Sequence, residues 1–398
     1  MPDYDVAITG GGIGGLSAAL CLGAQGFRVG VFERQSGPVE AGAGIQLAAN
    51  ATRVLEAVGV LPELLEKAAE PEEILVRDGK SGALLAGIPL GGHARARYGA
   101  RYLTIHRADL HDTLHRAASG HRLIEITHSA EITALEDQSH EVILSDARGR
   151  GFSAGIGVIA DGVWSRLRQT HTGTGPAIFT GENGWRALVP VRDAGIAAGA
   201  AHTGLWTAPG GHLVHYPVSS GDLINVVAVT SGHQLPTGWG ACADAGTLGA
   251  AFADWAVPCR DLIAAAPEWR VWSLHRREPD AWWSRGRITL LGDAAHPMRP
   301  YLAQGAAMAI EDGYVLAACL TRDSTAPARA LKEYENRRLR RTTRVQRASS
   351  ANAATFHASG LHRLARNAAL TIAGRLSPGH LLARYDWLHG YDVTKEPG

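Results

Sequence analysis

The sequence predicts an α/β fold: a largely parallel sheet with flanking helices, interrupted by an antiparallel sheet and finished by C-terminal helices. Three observations predict it. An apolar run from Asp5 to Thr9 leads straight into GGGIGG, then a helical stretch and a second apolar run, RVGVFE. Two further short apolar runs, Val158 to Ala160 and Ile288 to Leu291, each end in an acid where open α/β sheets present their ligands, Asp161 and Asp293. Between them, Phe179 to Trp283 alternates strand-like segments with turn signals such as Gly210-Gly211 and Gly221-Asp222.

Composition bounds what such a fold can do. At 398 residues the chain is too long for one ordinary core, so two domains are expected. Lys+Arg number 39 against 38 Asp+Glu, and no basic block is interleaved with aromatics, which argues against nucleic acid and for a small neutral or anionic ligand. The four cysteines are dispersed without a C-x-x-C pair, so neither a disulfide framework nor zinc is expected and the natural compartment is the cytoplasm. The 18 histidines show no metal-ligand spacing. The N-terminal apolar stretch carries Asp3 and Asp5 and is broken by glycines, which speaks against a secretion signal or a membrane span.

In chain order, Gly10, Gly12 and Gly15 stand in G-x-G-x-x-G spacing between the first strand and a helix expected over Leu16 to Ala24. Glu33 follows 18 residues after Gly15, where an acid binds a ribose hydroxyl pair. Strand, glycines, helix, strand and acid in register predict dinucleotide binding without telling NAD from FAD. Gly42 and Gly44 then suggest a backbone lying against something flat and bulky, with Gln46 as a contact or an ordinary loop residue. Ile74 to Leu90 reads as a hairpin around GKSG. Arg107 opens the next helix, within reach of a phosphate or a cofactor edge, or else lies on the surface.

In the antiparallel region, His212, Val214 and Tyr216 share one strand face. The rise per residue separates the first and last by about 13 Å, too far to touch one atom but suited to opposite ends of a ring. Past Asp293, Pro297 and Pro300 hold the chain extended until helix resumes at Gln304-Gly305-Ala306. That helix start offers free N–H groups and the positive end of a macrodipole, suited to a group that becomes anionic, such as a reduced flavin. Arg337, Arg338, Arg340, Arg341, Arg344 and Arg347 then wrap a helix in charge, the usual mark of a solvated face.

The ordered motifs, with GDAAHPMRPYLAQGAAMAIEDG, IHRADLH, HLVHYPV and WLHGYD, resemble the group A FAD-dependent aromatic hydroxylases, in the branch of salicylate hydroxylase and 3-hydroxybenzoate 6-hydroxylase. The resemblance spans nearly the whole chain. It implies a para-hydroxybenzoate hydroxylase-like fold: a Rossmann-like FAD domain in three parts (1–72, 101–176, 284–325), a substrate domain from 73–100 and 177–283, and C-terminal helices over 326–398. It places the FAD pyrophosphate on Gly10, Gly12 and Gly15, the adenosine on Glu33 and Arg34, the cofactor's middle on Arg107, and the ribityl chain on Asp293. By the resemblance Asp161 serves flavin and nicotinamide in turn, and the open helix start read above sets Gly305 and Ala306 against the flavin, with Gln46 as a further contact or an ordinary loop residue. His212 and Tyr216 match residues that face the substrate, His212 as a phenol base titrating near working pH and Tyr216 to orient the ring. Arg299, where the family usually has an uncharged residue, either binds a substrate carboxylate or points to solvent.

The activity so implied is NAD(P)H-dependent hydroxylation of a salicylate-like phenolic or heteroaromatic acid by O₂, through a flavin C4a-hydroperoxide, in a monomer or homodimer. Epoxidation, dehydrogenation or Baeyer–Villiger oxygenation on the same fold is the alternative, and a non-catalytic flavin carrier a more distant one.

Overall fold

The computed structural model describes residues 2–37, 43–195, 201–235 and 241–395. Gly42 lies outside them. The first sheet runs, in spatial order, Ile124–Thr127, Val29–Phe32, Tyr4–Thr9, Gly151–Ile159, Val142–Asp146 and Ile132–Asp137. Strand Gly151–Ile159 divides its outer edge. Its first half pairs antiparallel with Val142–Asp146 and its second half parallel with Ile288–Leu290. Both acids read from the sequence therefore leave neighbouring parallel strands at the same end of the sheet.

Helix Ile13–Ala24 begins earlier than the sequence suggested, with Gly12 as its N-cap, so Gly14 and Gly15 lie in its first turn. The close approach explains why: a Cβ on Gly15 would stand 2.0 Å from the Gly10 carbonyl oxygen. The helix packs backbone to backbone on helix Gly305–Arg322, since a Cβ on Gly313 would meet Ala18 Cα at 2.8 Å. Their N-terminal turns meet as well, Gly14 lying against Leu291 and Ala309. Two positive helix ends thus converge beside the sheet's carboxyl edge.

The second sheet has eight strands, with Ala241–Ala243, Trp269–Arg276, Ile178–Pro190, Leu223–Ser231, Gly211–Val218, His202–Ala208, Glu73–Asp78 and Leu84–Pro89 in order. Every pairing is antiparallel except His202–Ala208 with Glu73–Asp78, which is parallel. Strand alternation divides its faces. Trp185, Ala187, Leu213, Val226 and Ala228 pack with Phe252, Trp255 and Leu262 of the covering helices. The opposite face carries Arg186, His212, Tyr216 and Asn225, all buried. A polar face buried by other parts of the protein, rather than by water, marks the functional side.

The arginine-rich helix, Pro327–Phe356, corrects the expectation of a solvated charged face. Arg338 is fully buried and Arg341 nearly so. Arg338 donates to Glu311 at 2.7 Å and to Asp312 at 2.6 Å, and Arg341 donates to both Glu311 oxygens at 2.7 Å. The helix also secures the proline-bearing segment: Gln346, Ser349 and Asn352 each donate a side-chain hydrogen bond to a successive alternate carbonyl, of Pro297, Arg299 and Tyr301. Residues three apart share a helix face, and here that face supplies the donors the extended backbone needs.

Candidate active site

The glycine turn, Glu33 and Asp161 are gathered at one point. Gly10 has φ +108°, and a Cβ there would lie 2.4 Å from the Ala160 carbonyl oxygen and 3.1 Å from Asp161 Cα, so only glycine lets the two strand ends approach. Glu33 accepts from the Gly11 N–H at 2.8 Å and from the Gln35 N–H at 2.8 Å, which fixes its carboxylate at the end of the second strand. Asp161 takes a hydrogen bond from Ser165 and lies in the field of Arg34, itself exposed. Space is left for a ligand: a Cβ on Gly12 would meet nothing within 4 Å.

Asp293 and Arg107 meet at the second helix start. Burial raises the Asp293 pKa while the nearby His296 and Arg107 charges pull it down, and burial likewise lowers that of Arg107. Asp293 Oδ1 reaches to 3.8 Å from where a Gly305 Cβ would stand, and no side chain caps helix Gly305–Arg322. Ala306 follows in the same first turn. The Asp293 loop is held from behind by Asp312, which accepts from the Gly292 N–H at 3.0 Å and pairs with His296 at 2.5 Å. The neighbouring charges of His296 and Arg338 bring Asp312 down to about 2 despite the opposing, larger effect of burial.

A cavity of about 110 Å³ lies beside this helix start. Gln46, Tyr102, His212, Tyr301, Tyr385 and His389 are among its lining residues, with Pro300 to Ala303, the segment that runs into helix Gly305–Arg322. An engineered cavity of about 150 Å³ holds one benzene, so the space is on the scale of a single ring. A wider hollow of about 1060 Å³, between Thr133–Ser139 and Arg285–Ile288, contains none of the predicted site residues.

Two sequence-based expectations, for Gly44 and Tyr216, change here. Gly44 does face something flat and bulky, but it belongs to the protein: its Cβ position would overlap the Tyr216 ring at 2.5 Å, and its N–H donates to Asn225 at 2.6 Å. Gln46 stands in the cavity wall, where Tyr102 donates to its side-chain oxygen. Tyr216 is not among the lining residues and connects to the cavity through a hydrogen bond with Gln46, as the strand rise between it and His212 requires. Tyr301, Tyr102, Tyr385 and His389 line the cavity as well, and were not singled out from the sequence. Tyr301 lies within the GDAAHPMRPYLAQG motif and His389 within WLHGYD.

His212 is buried, 4.8 Å from Tyr301 ring to ring and 5.3 Å from Phe356. Desolvation first, and then the neighbouring His357, lower its pKa to about 3. It is therefore a neutral imidazole at working pH, which corrects the expectation that it titrates there. Arg299 neither points to solvent nor stands alone: it lies 3.7 Å from Glu182 and is largely buried.

Burial similarly lowers His215 and His389 to about 4. In the unfolded chain each of these histidines takes a proton near pH 6.5. Their contribution to stability is thus whole above about pH 6.5 and falls as pH drops towards 4, by up to about 1.4 kcal/mol per pH unit for each. Urea unfolding of the holoenzyme at about pH 5 should show a lower midpoint than at about pH 7.5, with His215→Gln reducing the difference.

The glycine turn open above Gly12, the acid for a ribose, the uncapped helix start beside Asp293 and the ring-sized cavity next to it fit a flavin dinucleotide and an aromatic ligand. Fold and site together define a flavin-dependent oxidoreductase.

Comparison with known proteins agrees. The 3-hydroxybenzoate 6-hydroxylase of Polaromonas naphthalenivorans is 36% identical over 98% of this chain and 97% of its own length. The 3-amino-4-hydroxybenzoate 2-monooxygenase of Streptomyces platensis is 38% identical, covering 98% and 96%. Among solved structures, Klebsiella pneumoniae HpxO complexed with FAD and uric acid superposes with a TM-score of 0.82 at 27% identity, covering 93% of this chain and 94% of that one.

The chain belongs to the FAD binding domain family, whose model matches residues 3–349. It is an FAD-dependent monooxygenase that uses NAD(P)H and O₂.

Proposed function

We propose that the protein hydroxylates a single-ring phenolic or hydroxy-heteroaromatic acid, and that Gly10, Gly12, Gly15, Glu33, Arg34, Arg107, Asp161, Asp293, Gly305 and Ala306 hold FAD. The observation that carries this is His212 in a ring-sized cavity whose wall continues into the helix start expected to receive the flavin. The relatives named for hydroxybenzoates support the substrate class. The division into FAD and substrate domains at the boundaries given above is part of the same reading, supported by the two separate sheets. So are a cytoplasmic location, a monomer or homodimer, and the absence of nucleic-acid partners, supported by the dispersed cysteines and near-neutral charge. Among the described residues, no helix is long and apolar enough to cross a membrane.

When bound, FAD supplies the transfer of electrons from NAD(P)H to O₂ and the delivery of one oxygen atom to the ring. The protein's own residues prepare that ring. His212 takes the phenolic proton, because a phenolate is a far better nucleophile, and Tyr301 and Tyr102 bound the ring at the cavity wall. The buried walls keep water from the reacting oxygen.

The purified holoenzyme should oxidise NADH faster with salicylate, 3- or 4-hydroxybenzoate or 6-hydroxynicotinate, and the stimulating compound should gain one oxygen by mass. Stimulation by none of them would overturn the substrate class. His212→Ala should lower product formation about a hundredfold while FAD content holds; an equal loss of both would show a structural role instead.

A further inference from the structure

A buried imidazole, neutral with one N–H, does not hold a second proton, so a proton taken from substrate needs somewhere to go. His212 lines the cavity. Its Nδ1 lies 2.9 Å from His357 Nε2, and the rings are 5.2 Å apart. One proton must lie between those nitrogens, since two lone pairs at that distance repel. His357 Nδ1 in turn lies 3.6 Å from Glu182 Oε1. Glu182 also accepts from the Tyr301 hydroxyl at 2.7 Å and faces Arg299 at 3.7 Å.

Three distant parts of the chain make this line. His212 comes from the central strand, His357 from the C-cap of helix Pro327–Phe356, and Glu182 from strand Ile178–Pro190. Glu182 sits inside a register shift between Phe179 and Asn183, next to Gly181 at φ +82°. Such a bulge re-aims a side chain.

Resting on the hydroxylase reading above, we propose that His357 and Glu182 are relay residues which carry the phenolic proton from His212 out of the cavity. The phenol O–H bond breaks and an N–H bond forms at His212 Nε2. The His212 Nδ1 proton passes to His357 Nε2, and the His357 Nδ1 proton to Glu182 Oε1. Both imidazoles end neutral with exchanged tautomers, the substrate is a phenolate, and Glu182 is a carboxylic acid that returns its proton to solvent through the 11% of its side chain left exposed. The groups facing His357 are His212, Glu182, Arg299 and Arg366. The two arginines oppose a lasting positive charge on it, so the proton moves on. The Glu182 link, longer than a hydrogen bond, closes as charge reaches His357.

Glu182→Gln and His357→Gln preserve size and hydrogen bonding but cannot pass the proton. In holoenzyme of wild-type flavin content, stopped-flow mixing with 3-hydroxybenzoate should release its proton to a pH indicator about a hundredfold more slowly in either variant, at unchanged Kd. Added imidazole should restore the rate in His357→Ala. Unchanged proton release in both glutamine variants would overturn the relay while leaving the hydroxylase reading intact. If no phenol stimulates the wild type, the hydroxylase reading fails, and ¹⁵N-histidine spectra of the holoenzyme still decide the relay. A His212 tautomer that shifts in His357→Gln and Glu182→Gln supports it, and one that stays fixed refutes the coupling.

Discussion

Arg338→Met is expected to destabilise the protein by about 3–5 kcal/mol, because it leaves Glu311 and Asp312 with uncompensated charge in a fully buried site. The same change should loosen flavin binding, since Asp312 holds the Gly292 N–H and with it the loop that carries Asp293. Urea unfolding and flavin retention on gel filtration would read the two effects. Arg340→Met, at an exposed position on the same helix, should alter neither by more than about 0.5 kcal/mol. Equal effects at both positions would show that the buried network contributes nothing particular. Asn50 belongs to the network too, donating to Glu311 at 2.6 Å and to Gln304 at 3.0 Å, so it connects the ion cluster to the N-cap of helix Gly305–Arg322.

Two glycines of one turn should fail in different ways. Gly15→Ala places a methyl 2.0 Å from a backbone oxygen, which the first strand and helix cannot both accommodate, and the chain is expected to fold poorly. Gly12→Ala meets no atom, so the protein should fold as the wild type does. Its methyl would occupy the space proposed for the pyrophosphate, and a loss of about 3 kcal/mol, more than a hundredfold in Kd for FAD, is expected. Titration of the apoprotein with FAD, beside circular dichroism, separates the outcomes. A Gly12→Ala protein that binds FAD normally would move the pyrophosphate elsewhere.

The parts of the site that were legible in sequence are local ones. Gly10, Gly12, Gly15 and Glu33 are a single strand–turn–helix–strand unit, and Asp293 with Gly305 lie within one short stretch, so spacing alone carries their geometry. The helix boundary was less legible because glycines at positions 14 and 15 lower helix propensity, which contact with Leu291, Ala309 and Gly10 overrides. Arg338 shows another limit. An arginine with a buried carboxylate partner on a different helix has the same sequence neighbourhood as one in water, and only the packing of the two helices tells them apart. His357 and Glu182 were silent for the same reason, being joined to His212 only by the fold. Ring spacing along one strand was readable, but Gln46 and Tyr102, through which Tyr216 reaches the cavity wall, come from elsewhere in the chain.

The divided edge of strand Gly151–Ile159 sets an order on biosynthesis. Residues Gly157 to Ile159 wait for Ile288–Leu290, and that partner leaves the ribosome only after the entire eight-stranded sheet has been made. Throughout that interval the nascent chain carries an open, apolar β-edge, the kind of surface that recruits other chains. Premature termination between Ile159 and Ile288 should therefore yield material that aggregates.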